Sequence, residues 1–112
     1  MNDCLFCKII AGDIPSGKVY EDELCYAFYD IAPLAPTHFL VVPKKHLDSA
    51  GEITEADAPL VGHIYAVIAR LARELGFAEG FRVVTNCGPI AGQTVRHLHF
   101  HVLAGKELGS FN

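Results

Sequence analysis

From His97 to Val102 the sequence alternates imidazole and apolar side chains without a break, His97-Leu98-His99-Phe100-His101-Val102, and then adds Leu103. Successive side chains of a β-strand point to opposite faces, whereas a helix would scatter the two kinds around its circumference. The run therefore reads as a strand. Leu98, Phe100 and Val102 bury one face, and His97, His99 and His101 line the other, roughly 6–7 Å apart along the chain. Three histidines in strict alternation with apolar residues point to a site rather than to an accident of packing.

The rest of the chain supplies partners for such a strand. Lys18 to Glu21 and Leu24 to Ile31, rich in Tyr, Phe and Val around an Asp22-Glu23 turn, read as a hairpin. His38 to Val42 is a third strand closed by Pro43, Phe81 to Thr85 a fourth, and Arg96 to Leu103 the fifth. Between about Ala58 and Leu75, the residues Leu60, Val61, Ile64, Ile68, Leu71, Ala72 and Leu75 recur at spacings of three and four, the stripe of an amphipathic helix. Asp57 is its expected N-cap, Pro59 lies in its first turn, and Gly76 stands where it stops. Phe6 to Ala11 has room for one or two helical turns before Gly12. His63, on the long helix, is expected at an edge with no catalytic role. The fold class is α+β, a five-stranded, mainly antiparallel sheet with one long and one short helix. At 112 residues, with no repeat and no linker, residues 1–112 are expected to form one domain.

Nine Lys and Arg against thirteen Asp and Glu leave a net charge of -4, which argues against a nucleic-acid binder. A bound phosphate must then be held by local donors. No apolar run reaches the roughly 18–20 residues of a membrane span, and no basic start leads into an apolar stretch, so no membrane association and a cytoplasmic location are expected. The four cysteines do not resemble a secreted disulfide framework. Cys25 and Cys87 are expected as small packed residues. Cys4 and Cys7 form a Cys-x-x-Cys pair with three readings: a redox dithiol, half of a zinc site, or incidental residues.

A row of imidazoles can bind metal, or it can attack and neutralise an anionic group. Neutral imidazole, with a reference pKa near ~6.5, attacks phosphorus, and a neighbouring ring stabilises charge or delivers a proton. Just before the strand, Asn86, Gly88-Pro89-Ile90-Ala91-Gly92 and Gln93-Thr94 combine glycines with amide and hydroxyl donors. Joined directly to the histidines, this loop reads as a phosphate cradle.

Gly92 to Leu103 resembles the histidine-triad motif, His-x-His-x-His followed by two apolar residues. Phe6-Cys7-Lys8-Ile9-Ile10, Asp13-Ile14-Pro15, Ala27 to Ile31 and Pro36 to His46 extend the likeness over nearly the whole chain. The sequence is similar to the branch of histidine-triad (HIT) nucleotide-binding proteins that act as purine nucleoside phosphoramidases. The resemblance implies His99 as the nucleophile of a nucleotidyl-histidine intermediate. It implies His101 as the contact to the phosphate and leaving group, and His97 as orienting His99 through its backbone carbonyl. His38 would support the cluster. Asn86, Gly92, Gln93, Thr94 and Val95 would line the phosphate, and Leu5, Phe6, Ile14, Phe28 and Ile31 would wall the base. Asp30 would accept from the ribose hydroxyls. A homodimer with a continuous ten-stranded sheet is implied as well, and no organic cofactor.

Some members of the family carry a Cys-x-x-Cys pair, a later histidine and the first triad histidine, which makes Cys4, Cys7, His46 and His97 a Cys2His2 set for a structural zinc. The redox reading needs a thioredoxin-like βαβ setting, which the sequence lacks. Eukaryotic-type members carry a Trp in the C-terminal tail. Here the tail reads Lys106 to Asn112 and the chain has no Trp, so the resemblance leaves the leaving group open. Two alternative functions are a purine nucleotide-binding adaptor with little turnover, which would not need His99, and a dinucleoside polyphosphate hydrolase, whose longer insertions are missing.

Overall fold

The computed structural model describes residues 3–110, so Phe111 and Asn112 of the tail lie outside the described residues. Five antiparallel strands form one sheet: β1 (Lys18–Glu21), β2 (Cys25–Tyr29), β3 (Thr37–Pro43), β4 (Arg82–Val84) and β5 (Phe100–Ala104), in the order β1-β2-β3-β5-β4. Two helices accompany it, α1 (Leu5–Ile10) and α2 (Ala58–Leu75). Among the described residues no helix is long and apolar enough to cross a membrane.

Strand alternation divides the core into two layers. Cys25, Ala27, Phe39, Val41, Leu98, Phe100 and Val102 face α2 and meet its buried stripe of Ile64, Val67, Ile68 and Leu71. Tyr26, Phe28, Leu40 and Val42, the alternate residues of β2 and β3, face the other way and pack with Phe6 and Ile9 of α1. The six-residue α1 is too short to cover that face, and the uncovered part is the concave surface on which the histidines lie.

The long helix runs over the expected residues and ends at Gly76, whose φ of 86° is the left-handed value a C-terminal glycine supplies without strain. Leu75, counted in the apolar stripe, is half exposed at its end. Asp57 stands at the N-cap of α2 as expected, but its side chain makes no capping bond to the helix. Its carboxylate instead accepts from the Thr54 N–H (3.0 Å) and from Lys45 (2.6 Å), which ties the start of α2 to the end of β3. Short 3-10 turns at Ala50–Glu52, Glu55–Asp57 and Pro89–Ala91 occupy segments read as plain loop.

The fifth strand begins at Phe100 rather than at Arg96. By extension of the register that pairs Val41 with Phe100, Leu98 stands opposite Pro43. Proline has no N–H to give, and its carbonyl is taken by the His97 ring (2.8 Å), so the ladder stops there. The alternation of faces still continues upstream: Leu98 is buried in the α2-facing core, and His99 faces the other layer.

Candidate active site and metal centre

A cavity of about 630 Å³ opens on the sheet face opposite α2. His99, His101 and His38 lie on its wall, with Asn86, Gly92, Thr94 and Val95 from the loop before β5. Leu5 and Phe6 of α1, Phe28 of β2 and Asp30 and Ile31 just beyond it line the same cavity. Ile31 is fully exposed at the rim. Two expected residues stand elsewhere. Ile14, half-buried, packs against the apolar cluster of Phe6, Ile9, Tyr26 and Phe28 and is not among the residues lining the cavity. Gln93 is held within the scaffold: its Oε1 accepts from the Gly88 N–H (2.7 Å), and its Nε2 donates to the carbonyls of Asp48 (2.6 Å) and Val95 (2.9 Å). It braces the cradle from behind while Gly92, at φ 96°, turns the chain with a conformation that disfavours a side chain.

Backbone partners settle the tautomers of the rings. The carbonyl of His97 lies 2.7 Å from His99 Nδ1, so that nitrogen carries the proton and Nε2 keeps its lone pair. The Leu34 N–H donates to His38 Nδ1 (3.0 Å), which leaves the proton on His38 Nε2. That N–H donates to His101 Nδ1 at 3.0 Å, and His101 therefore carries its own proton on Nε2. The cavity thus combines a nucleophilic nitrogen on His99 with an N–H donor on His101, ring centroids 5.1 Å apart. Phe6 meets the His99 ring edge-on at 5.0 Å. Burial, reinforced by the His99 and His38 rings, pushes His101 down to about 4, so it is neutral at pH 7.

Asp30 lies with Oδ2 3.5 Å from His38 Nε2 and 4.0 Å from His101 Nδ1, while Oδ1 accepts from the Ala32 N–H (2.8 Å). Asp30, His38 and His101 are close enough together to hold a metal ion. The proton that Leu34 forces onto His38 Nε2 makes that nitrogen a donor, however, and the cluster is a hydrogen-bonded ladder.

His97 leaves the row. Its ring is fully buried behind the cavity, where burial lowers its pKa, and it faces the N-terminal cysteines instead. Its Nδ1 is 3.2 Å from Cys4 Sγ and 3.5 Å from Cys7 Sγ, and Cys7 Sγ is 3.4 Å from His46 Nδ1. Tetrahedral zinc with Zn–S near 2.3 Å and Zn–N near 2.0–2.1 Å separates sulfur from nitrogen by about 3.5 Å. Both rings engage Nε2 elsewhere, His97 on the Pro43 carbonyl and His46 on Asp48 (2.8 Å), so both turn an unprotonated Nδ1 inward. Outer partners of this kind orient metal-ligating histidines. Cys4, Cys7, His46 and His97 fit a tetrahedral metal ion in spacing and in chemistry.

Elsewhere, His63 donates to Asp22 (2.6 Å), which also accepts from the Tyr20 hydroxyl and from the Leu24 and Cys25 N–H groups. Burial raises the Asp22 pKa, but these donors outweigh it and hold the carboxyl well below the usual carboxylate range. The cluster fastens α2 to the hairpin turn. Cys25 is fully buried as expected, and burial pushes its thiol up to about 12. Cys87 is exposed, not packed, and donates to the Ser49 hydroxyl (3.4 Å).

Several wall residues were not singled out from the sequence. Leu103 follows His101 by two, so strand alternation alone places it on this face. Leu34, Val84 and Arg82 are on the wall because of loop conformation and the β4–β5 register, which leave no local trace in the sequence.

A family model described as HIT domain matches residues 11–108. A curated relative, an uncharacterized HIT-like protein of Synechococcus elongatus, is 47% identical over 106 residues, 95% of this chain and 93% of that one. Among solved structures, a HIT family hydrolase from Clostridium thermocellum superposes with a TM-score of 0.94 at 46% identity, covering 98% of this chain and 96% of that one. A histidine triad nucleotide-binding protein from Candida albicans does so with a TM-score of 0.82 at 36% identity, covering 96% and 82%.

Proposed function

The chain belongs to the HIT family, and from that premise we propose that it is a hydrolase of purine nucleoside phosphoramidates. Acting as one HIT domain, it cleaves the phosphorus–nitrogen bond through a nucleotidyl-histidine intermediate on His99 and releases AMP or GMP. The observation that carries this reading is the pair of opposed tautomers, a lone pair on His99 Nε2 and a proton on His101 Nε2, at one cavity. A protein that only held nucleotides would have no use for a nucleophile with its back nitrogen anchored. The similarity to a HIT family hydrolase and to a histidine triad nucleotide-binding protein supports the same class.

The steps follow from these groups. The His99 Nε2 lone pair forms a bond to phosphorus. The bond from phosphorus to the amine, protonated on nitrogen, breaks, and its electrons leave with the amine. The Nδ1–H on the His97 carbonyl stabilises the imidazolium of the intermediate. His101 donates from Nε2 to the phosphoryl or bridging atom, and Asn86 and Thr94 hold the remaining oxygens. Water then bonds to phosphorus, His99 recovers its lone pair, and the excess proton passes to solvent. Positioning and charge neutralisation carry most of the acceleration. Asp30 receives the ribose hydroxyls, and Phe6, Phe28 and Leu5 enclose the base.

Cys4, Cys7, His46 and His97 hold a structural zinc in this reading, with no part in the chemistry. The protein works as a homodimer in the cytoplasm in this reading. The test is incubation with adenosine 5′-phosphoramidate. AMP is expected, with an acid-labile nucleotidyl adduct on His99 seen by mass spectrometry. His99→Ala is expected to keep the fold, by circular dichroism, and to lose turnover by roughly three orders of magnitude or more. Normal AMP release from that variant would remove the covalent route.

A further inference from the structure

Arg82 stands on the wall of the catalytic cavity, on the outermost strand. The β4–β5 register places it beside Leu103, as Val84 stands beside His101. Along β5 and its approach, His99, His101 and Leu103 follow one another at steps of two and all face the cavity. The wall therefore reads nucleophile, donor, then a Leu103–Arg82 pair. In-line displacement at phosphorus puts the leaving group on the side away from the attacking nitrogen. Away from His99 along the wall lie His101, Leu103 and Arg82. His38 pairs with Leu103 from the opposite side, and Asp30 lies against His38, so the ribose acceptor and Arg82 flank the Leu103 position from opposite sides.

The partners of the guanidinium are two neutral acceptors, the carbonyls of Leu108 (3.1 Å) and Gly109 (2.5 Å), and among the described residues it forms no ion pair. The tail thereby fixes a planar fork of five N–H donors while using only part of it. A positive group held in place at the leaving-group end of a cavity, in a chain of net charge -4, selects for a negative one.

We propose that Arg82 reads the leaving group by binding a carboxylate on the departing amine. Resting on the phosphoramidate reading above, this makes nucleoside 5′-phosphoramidates of amino acids with a free carboxylate the preferred substrates, and disfavours amines with an added positive charge.

Three adenosine 5′-phosphoramidates test it, made with glycine, with glycinamide (its neutral analogue) and with ethylenediamine (its cationic counterpart). The glycine compound is expected to exceed glycinamide by about tenfold in kcat/KM, the size of one charge-assisted hydrogen bond, with the ethylenediamine compound lowest. In Arg82→Gln the glycine-to-glycinamide ratio should fall to near one, and in Arg82→Lys, which keeps the charge but not the fork on the tail, it should stay above one. A ratio unchanged in Arg82→Gln overturns the proposal. So does Arg82→Lys behaving as Arg82→Gln, which would reduce the residue to an anchor for the tail. If none of the three is turned over, the proposed reaction falls by itself, and the same order is then read from calorimetric affinities of the three compounds. An Arg82-dependent gain of ADP over AMP, without one for the glycine compound, would assign the cation to a phosphate and overturn the carboxylate assignment.

Discussion

His101 shows how a side chain's environment becomes a property of the whole fold. Burial first, then the His99 and His38 rings, push it down to about 4 from 6.5, with Asp30 opposing them. Between these values the unfolded chain takes up a proton that the folded protein excludes. Stability is therefore fully present above about pH 6.5, falls as the pH drops toward about 4, and levels off below that. The loss attached to this ring is at most about 3 kcal/mol, less its partial exposure to solvent. His101→Asn should unfold in denaturant with a smaller drop between pH 7 and pH 4.5 than the parent. Equal drops would mean that the ring is not excluded from protonation in the folded protein. The alternation put His101 on the same face as His99, and the resemblance implied its role at the phosphate and leaving group. The direction of its proton was not legible, because it depends on the Leu34 N–H, which reaches His101 only through His38.

At the scale of elements, α1 carries two tasks on one turn and a half. Cys4 accepts the Cys7 N–H as N-cap (3.3 Å), and both sulfurs face His97. Phe6, between them in sequence, packs on Phe28 and against the edge of His99. So short a helix is not stable alone, and metal ligation would hold it on the sheet. Protein purified without chelator is expected to contain about one zinc per chain. Cys4→Ser/Cys7→Ser should lose it, melt at least several degrees lower, and bind AMP more weakly because Phe6 is no longer held in place. Elemental analysis, melting curves and calorimetry check the three parts. A metal-free preparation whose melting temperature does not respond to added zinc would defeat the assignment. The Cys-x-x-Cys pair was open to three readings in the sequence, and the convergence of two inward Nδ1 atoms on it makes a group that could hold a metal ion.

For the whole molecule, the sheet has two edges of different character. On β1, Lys18 and Glu21 are charged and the register shifts between Lys18 and Tyr20, features that discourage edge pairing. By contrast β4 follows the exposed Phe81 and lies beside β5, whose Phe100 is covered by the half-exposed Tyr65. Pairing of β4 with its own copy about a two-fold axis would extend the sheet to ten strands and cover these rings. Sedimentation at micromolar concentration should give a dimer, twice 12.2 kDa, and Tyr65→Arg should shift it toward monomer. A monomeric parent protein would reject the arrangement.

What the sequence determined by itself was whatever a local period can encode. The 3.6-residue stripe from Ala58 to Leu75 and the alternation around His99 specify an element and a buried face from neighbours a few residues apart, and both stand in the structure. The contents of the histidine face were decided by tertiary structure. Local alternation put His97 in line with His99 and His101, but Pro43, fifty-four residues away, ends the ladder and draws the His97 ring back toward the cysteines. Gln93, a donor by composition, is taken up by Asp48, Gly88 and Val95. Arg82 joins the cavity only through the β4–β5 register. Hydrogen bonds and strand pairings between distant segments carry no period along the chain, so these assignments appear only once the sheet is assembled.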